Sequence, residues 1–94
     1  MNKKGWKMTK IIAGYNPTGD TLWRALFEHV QWGIIGYGST RQQAINDLIE
    51  KSDPHNIPSD ISSAFQLNMA EKGIQYYDWM DQFSEWLTEH VEVA

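Results

Sequence analysis

At 94 residues the chain has the size of one small domain, with room for a single core and not for two. It contains no cysteine, which excludes disulfides, thiolate metal sites and cysteine nucleophiles, and no run near the ~20 apolar residues of a membrane span. Twelve acidic against eight basic side chains leave a formal charge of −4, a poor basis for phosphate-driven binding to nucleic acid.

The charge is uneven. Lys3, Lys4, Lys7 and Lys10 make a basic start, but the apolar group Ile11-Ile12-Ala13 is too short for a signal peptide, so the cytoplasm is the expected location. Met8 to Ala13 reads as an opening strand. Tyr15-Asn16-Pro17-Thr18-Gly19-Asp20 carries turn chemistry: Pro and Gly punctuate it, and Asn and Asp offer local side-chain hydrogen bonds. Thr21 to Gln31 admits two readings, a helix with Leu22, Leu26 and Val30 on one face or a strand with Trp23, Ala25 and Phe27 on one side. The glycine-rich segment from Trp32 to Gly38 suits an extended partner and favours the strand, paired through a hairpin at His29-Val30-Gln31.

Thr40-Arg41-Gln42-Gln43 fits a capping box, and Ala44, Ile45, Leu48 and Ile49 follow at helical spacing until Asp53-Pro54. After the linker His55-Asn56-Ile57-Pro58, Ser59 to Lys72 reads as helix, with Ile61, Phe65 and Met69 four apart and Gly73 as a stop. Phe65 to Met69 also alternates, so a strand stays open there. The last helix is expected from Ile74 to about Val91, with Tyr76, Trp79, Met80, Phe83, Trp86, Leu87 and Val91 on its apolar stripe. The fold class is therefore α+β, a single domain over 1–94. A β-β-β-α core over 8–52 has about three antiparallel strands and one packed helix, followed over 59–92 by one or two helices. A long amphipathic helix also leaves room for a homodimer built on it.

No residue pattern points to catalysis or to a cofactor. His29, His55 and His90 are far apart and in no metal-ligand spacing. Gly33, Gly36 and Gly38 before Thr40 match neither phosphate-loop spacing, and strand and turn geometry accounts for them. Asp78 and Asp81 are expected on a wet face rather than in the desolvated cleft that acid–base chemistry needs. What stands out is a run from Asp78 to Glu92 that holds Asp78, Asp81, Glu85, Glu89 and Glu92 without any Lys or Arg. With Tyr77 and Trp6, two aromatics off the main stripes, Asp78, Asp81, Glu85 and Glu89 form the expected contact surface for a protein partner that presents a basic face.

The junction Gly36-Tyr37-Gly38-Ser39-Thr40-Arg41-Gln42-Gln43-Ala44-Ile45-Asn46-Asp47-Leu48-Ile49 resembles the strand-to-helix step of HicB-type antitoxin domains, and also that of a group of short bacteriophage-encoded proteins. The resemblance, over about a third of the chain, implies a β-β-β-α core. The HicB-type likeness implies the neutralisation of a small RNA-cleaving toxin. The phage-type likeness would suit an acidic inhibitor of a host defence or nucleic-acid-handling protein.

Overall fold

The computed structural model describes residues 8–16, 22–30 and 33–94; Lys3, Lys4, Trp6, Lys7 and the 17–20 part of the expected turn lie outside them. Strands β1 (Ile11–Tyr15), β2 (Trp23–Phe27) and β3 (Gly36–Gly38) form one antiparallel sheet in the order β1-β2-β3. Helices α1 (Arg41–Lys51), α2 (Ser59–Glu71) and α3 (Trp79–His90) follow. The architecture is the expected α+β, and within the ambiguous segment Trp23–Phe27 is strand, while Thr21 and Gln31 lie outside the described residues.

Register decides which side chains share a face. Ile11 lies opposite Phe27, Ala13 opposite Ala25, and Tyr15 opposite Trp23, while Ala25 and Trp23 also face Gly36 and Gly38. Residues directly opposite one another point to the same side of a sheet. This side is covered by α1, whose Ala44, Ile45 and Leu48 are buried with Ile11, Ala25 and Phe27. β1 starts later than expected, at Ile11: the Lys10 N–H donates to the Glu28 carboxylate at 3.0 Å and not to a strand carbonyl. Tyr15 belongs to the strand rather than the turn and stacks on Trp23 with centroids 4.8 Å apart. The chain leaves β2 through Glu28 and His29, the latter at φ 64°.

The helix on this sheet comes very close. A Cβ on Gly36 would run into the Ala44 carbonyl and the Leu48 backbone, and one on Gly38 would lie 2.6 Å from the Ala44 amide nitrogen. Neither glycine has positive φ. Both are there for clearance, not for a turn, which corrects the expectation from sequence. α1 is capped as expected: Thr40 Oγ1 accepts from the Gln43 N–H at 3.1 Å. The reciprocal bond reaches one residue further back, the Ser39 N–H donating to Gln43 Oε1 at 3.0 Å. The helix stops at Lys51, just ahead of Asp53-Pro54, and the buried Ser52 hydroxyl donates to the Leu48 carbonyl at 2.7 Å.

α1 also seals the outer edge of β3. The Asp47 carboxylate accepts from the Tyr37 N–H at 2.9 Å and from Lys51 Nζ at 2.7 Å. Lys51 in turn donates to the Ile35 carbonyl at 3.0 Å and sits 5.2 Å from the centre of the Tyr37 ring. The Lys51 hydrogen bond, then the Tyr37 amide, hold the Asp47 carboxyl below its ordinary 3.8, against a smaller opposing effect of burial. At the other edge the chain's last residues join β1. The Ile11 N–H donates to the Glu92 carbonyl at 2.9 Å, and the Ala94 N–H to the Ile11 carbonyl at 2.8 Å.

α2 is helix, and the strand alternative fails on burial: Ile61, Phe65 and Met69 are buried while Leu67 is exposed. It ends in a Schellman motif. Gly73 takes φ 73°, its N–H donates to the Ala70 carbonyl, and the Ile74 N–H to the Met69 carbonyl. That motif corrects the expected single helix from Ile74. Gln75 is extended, Tyr76–Asp78 is one 3-10 turn, and α3 itself has 12 residues. Its Phe83, Trp86 and Leu87 enter the core around Phe65, whose ring meets Phe83 at 4.8 Å and Trp86 at 5.3 Å edge to face. Such aromatic pairs contribute about 0.5–1.5 kcal/mol each beyond their burial.

Two outcomes follow from this packing. Gly36→Ala should cost about 1–3 kcal/mol or more, because helix backbone cannot give way as a side chain can, while Gly14→Ala, with nothing within 4 Å of its Cβ, should be neutral or slightly stabilising; urea midpoints of the two variants test the contrast. Asp47 has a folded pKa below its unfolded one, so its contribution is fully present above the ordinary carboxylate range and is lost as pH falls through the folded value. Asp47→Asn should therefore lower the midpoint at pH 7, and the gap to the parent should close in acid below about 3.8.

Candidate functional site

The acidic run forms a surface around the start of α3. Tyr77 and Asp78 lie in the 3-10 turn, and Asp81, Glu85 and Glu89 follow on α3 at steps of four. All five side chains are exposed. Trp6, the remaining expected contact, is outside the described residues. The turn and the start of α3 add two apolar groups that the helical spacing had placed in the core: Tyr76 is 70% exposed and Met80 56%. Tyr76 leaves the stripe because Gln75 is extended and Tyr76–Asp78 is a 3-10 turn, so that α3 begins only at Trp79, with Met80 in its first turn.

Beneath this patch the structure is firm. Trp79 Nε1 donates to the Ile74 carbonyl at 2.9 Å, and the Tyr76 ring rests on Trp79 with centroids 5.0 Å apart. Trp79 itself packs edge to face on Phe65. Tyr76 is thus held in place on a core residue with most of its surface in solvent, and Tyr77 beside it is exposed to the same 70%.

The electrostatics of α3 are mixed: Asp78 and Asp81 at its start suit the helix dipole, but the rest of the acidic stripe does not. Asp81 with Glu85 and Glu85 with Glu89 are like-charge pairs at i,i+4, each costing about 0.2–0.5 kcal/mol. Glu89 stands in the last turn, where the helix dipole favours cations. Among the described residues no Lys or Arg pairs with Asp78, Asp81, Glu85 or Glu89. Only Glu92, past the helix end, finds a cation, Lys10 at 3.5 Å.

Chemistry elsewhere is sparse. The described residues include no group of three His, Asp or Glu side chains placed to hold a metal ion. His29 is exposed with Nε2 3.9 Å from the Glu28 carboxylate, and His55 is exposed at the mouth of a groove of about 560 Å³. Leu26, Val30, Ile34 and Ile57 line that groove with Arg24, and among the described residues no carboxylate does. His90 is half-buried, stacked on Trp86 at 4.6 Å, with Nδ1 2.8 Å from the Trp86 carbonyl. This contact at a helix C-terminus accounts for its position. At the start of α1, Thr40 and Gln43 side chains occupy donors that an anion would need.

Glu85→Lys replaces two repulsive pairs with two attractive ones. It should raise stability by roughly 1 kcal/mol, a shift of a few degrees in Tm by calorimetry. In comparisons with known proteins, no family model, no curated protein and no solved structure matched the chain.

Proposed function

We propose that this protein is a non-catalytic protein-binding module that uses the 3-10 turn and the solvent face of α3 to dock on a basic surface. The observation that carries this reading is the juxtaposition at that turn: Tyr76, Tyr77 and Met80 exposed on a firm base, bordered by Asp78, Asp81 and Glu85 without cations. Rigid, exposed tyrosines bring large contact area at low entropic cost, and they are enriched where proteins bind one another. A rim of one charge sign supplies steering and selects an oppositely charged partner. A helix that only had to pack would gain by replacing Glu85 with Lys, so the retained like-charge stripe favours a role outside folding.

The biological setting that fits best is an acidic inhibitor of the bacteriophage kind, acting in the host cytoplasm on a defence or nucleic-acid-handling protein whose basic surface it would cover. A second reading is favoured by the order β1-β2-β3-α1, the core that the HicB-type likeness implies: an antitoxin covering a small, basic RNA-cleaving toxin. Both readings place a basic protein against an acidic one.

The test is affinity capture from host-cell lysate with mass spectrometry, run beside the triple variant Asp78→Lys, Asp81→Lys, Glu85→Lys and beside Tyr77→Ala. One stoichiometric partner is expected with the parent and should be lost from the triple variant, while thermal stability is kept or raised. Salt should weaken the complex. A partner retained in full by the triple variant would sink the proposal, and a short basic ribonuclease as that partner would select the antitoxin reading.

A further inference from the structure

The second face of the sheet points to a different contact. Alternation from the helix-covered rows leaves Ile12 opposite Leu26 in one row, and Gly14, Arg24 and Tyr37 in the next. Ile35, one residue before β3, continues the first row. Ile12, Leu26 and Ile35 are half-buried, yet none of them packs against the core cluster. Leu22 and Tyr37, exposed on the same side, extend the apolar surface to 59% and 41% of those residues' full area. In the midst of it the Arg24 side chain is exposed and makes no hydrogen bond or ion pair among the described residues. An apolar row beside an unpaired guanidinium is a surface with a missing partner.

The arrangement of charge along β2 says what that partner is. Arg24 stands two residues before Leu26. Glu28 stands two residues after it and continues the alternation, its N–H still paired with the Lys10 carbonyl at 2.9 Å. One Glu28 carboxylate oxygen accepts from the Lys10 amide, and the other lies 3.9 Å from Nε2 of exposed His29. The face is therefore self-complementary about Leu26. When two copies meet face to face about a twofold axis that crosses the strands at Leu26, Leu26 lies on Leu26 of the other copy and Ile12 on Ile12. Arg24 of each copy then lies over Glu28 of the other, about 7 Å from the axis on either side. Aligned sheets pack about 10 Å apart, a gap that Leu, Ile and Arg side chains fill.

We propose that this open sheet face is the interface of a homodimer, closed by the Leu26 row and by two reciprocal Arg24–Glu28 pairs. The proposal does not rest on the reading of α3. The helices pack on the opposite side of the sheet, so dimer formation leaves both acidic surfaces free.

Reciprocity makes the register testable. Arg24→Glu sets two carboxylates against each other at both pairs, and Glu28→Arg sets two guanidinium groups there. Each variant alone should dimerise more weakly by on the order of a hundredfold. Mixed together they should recover the dimer, because each pair then again joins a carboxylate to a guanidinium. Sedimentation equilibrium of the parent, of each variant and of their equimolar mixture reads this directly, with circular dichroism to verify folding. Leu26→Arg, which touches neither charge, should give a folded monomer and serves if Glu28→Arg fails to fold. A parent that stays monomeric at its highest soluble concentration overturns the proposal. So does a dimer indifferent to Leu26→Arg, or a mixture of two folded variants that fails to associate.

Discussion

The structure depends on a close approach of backbone to backbone, α1 lying directly on β3 where Gly36 and Gly38 have no side chain. At ordinary helix–sheet distance a layer of side chains would separate the two elements, and the short β3 would have little to hold it. At this distance Ala44 and Leu48 reach through to Ala25 and Phe27, and the one small core is dense enough to be shared by all the helices. The approach also brings Asp47 and Lys51 level with the edge of β3, where they bind the Tyr37 amide and the Ile35 carbonyl. Helix side chains thus take the part of a missing fourth strand.

That sealing has a consequence for recognition. Exposed strand edges invite pairing with other chains, and proteins guard them with charge or cover. Here β3 is guarded at Tyr37 and Ile35, and β1 is joined by the chain's own residues at Ile11. α1 covers one face of the sheet. The surfaces left to meet a partner are the second face of the sheet, around Leu26, and the solvent side of α3. They differ in kind: the first is apolar with balanced charge and complements itself, and the second is acidic and repels its own copy.

How much of this the sequence carried depends on whether the signal was local. Thr40 and Gln43 make a cap from residues three apart, so α1 and its start were legible, and so was the strand character of Trp23–Phe27 once the glycines after it ruled out helix. The close approach was not. Gly36 and Gly38 look like turn glycines in sequence, and only the position of Ala44 and Leu48 in space shows their role as clearance. The last helix was overextended because Tyr76 keeps helical spacing with Met80 and Phe83, although Gln75 is extended and Tyr76–Asp78 forms a 3-10 turn before α3 begins. The acidic residues and Tyr77 were correctly expected in solvent, since exposure of a charged face needs no tertiary information. Arg24 and Glu28 drew no notice, because their relation appears only when strand register gives the face a centre.

Placement of the exposed aromatics bears on why α3 is built as it is. A helix of 12 residues buries Phe83, Trp86 and Leu87 and gains its stability from them. Packing therefore sets no requirement on the far side, where Asp81, Glu85 and Glu89 could be any polar residues. A solvated face chosen only for solubility tends to mix both signs, which also adds favourable i,i+4 pairs. This one has a single sign, repeats it at the spacing where repulsion is greatest, and carries it into the turn where the dipole opposes it. The cost is a kcal/mol or so, small against the burial of the aromatic core and so tolerable, but it is not explained by that core. The docking role proposed for this face would account for the sign of its charge, and Tyr76 is seated on Trp79 beside it.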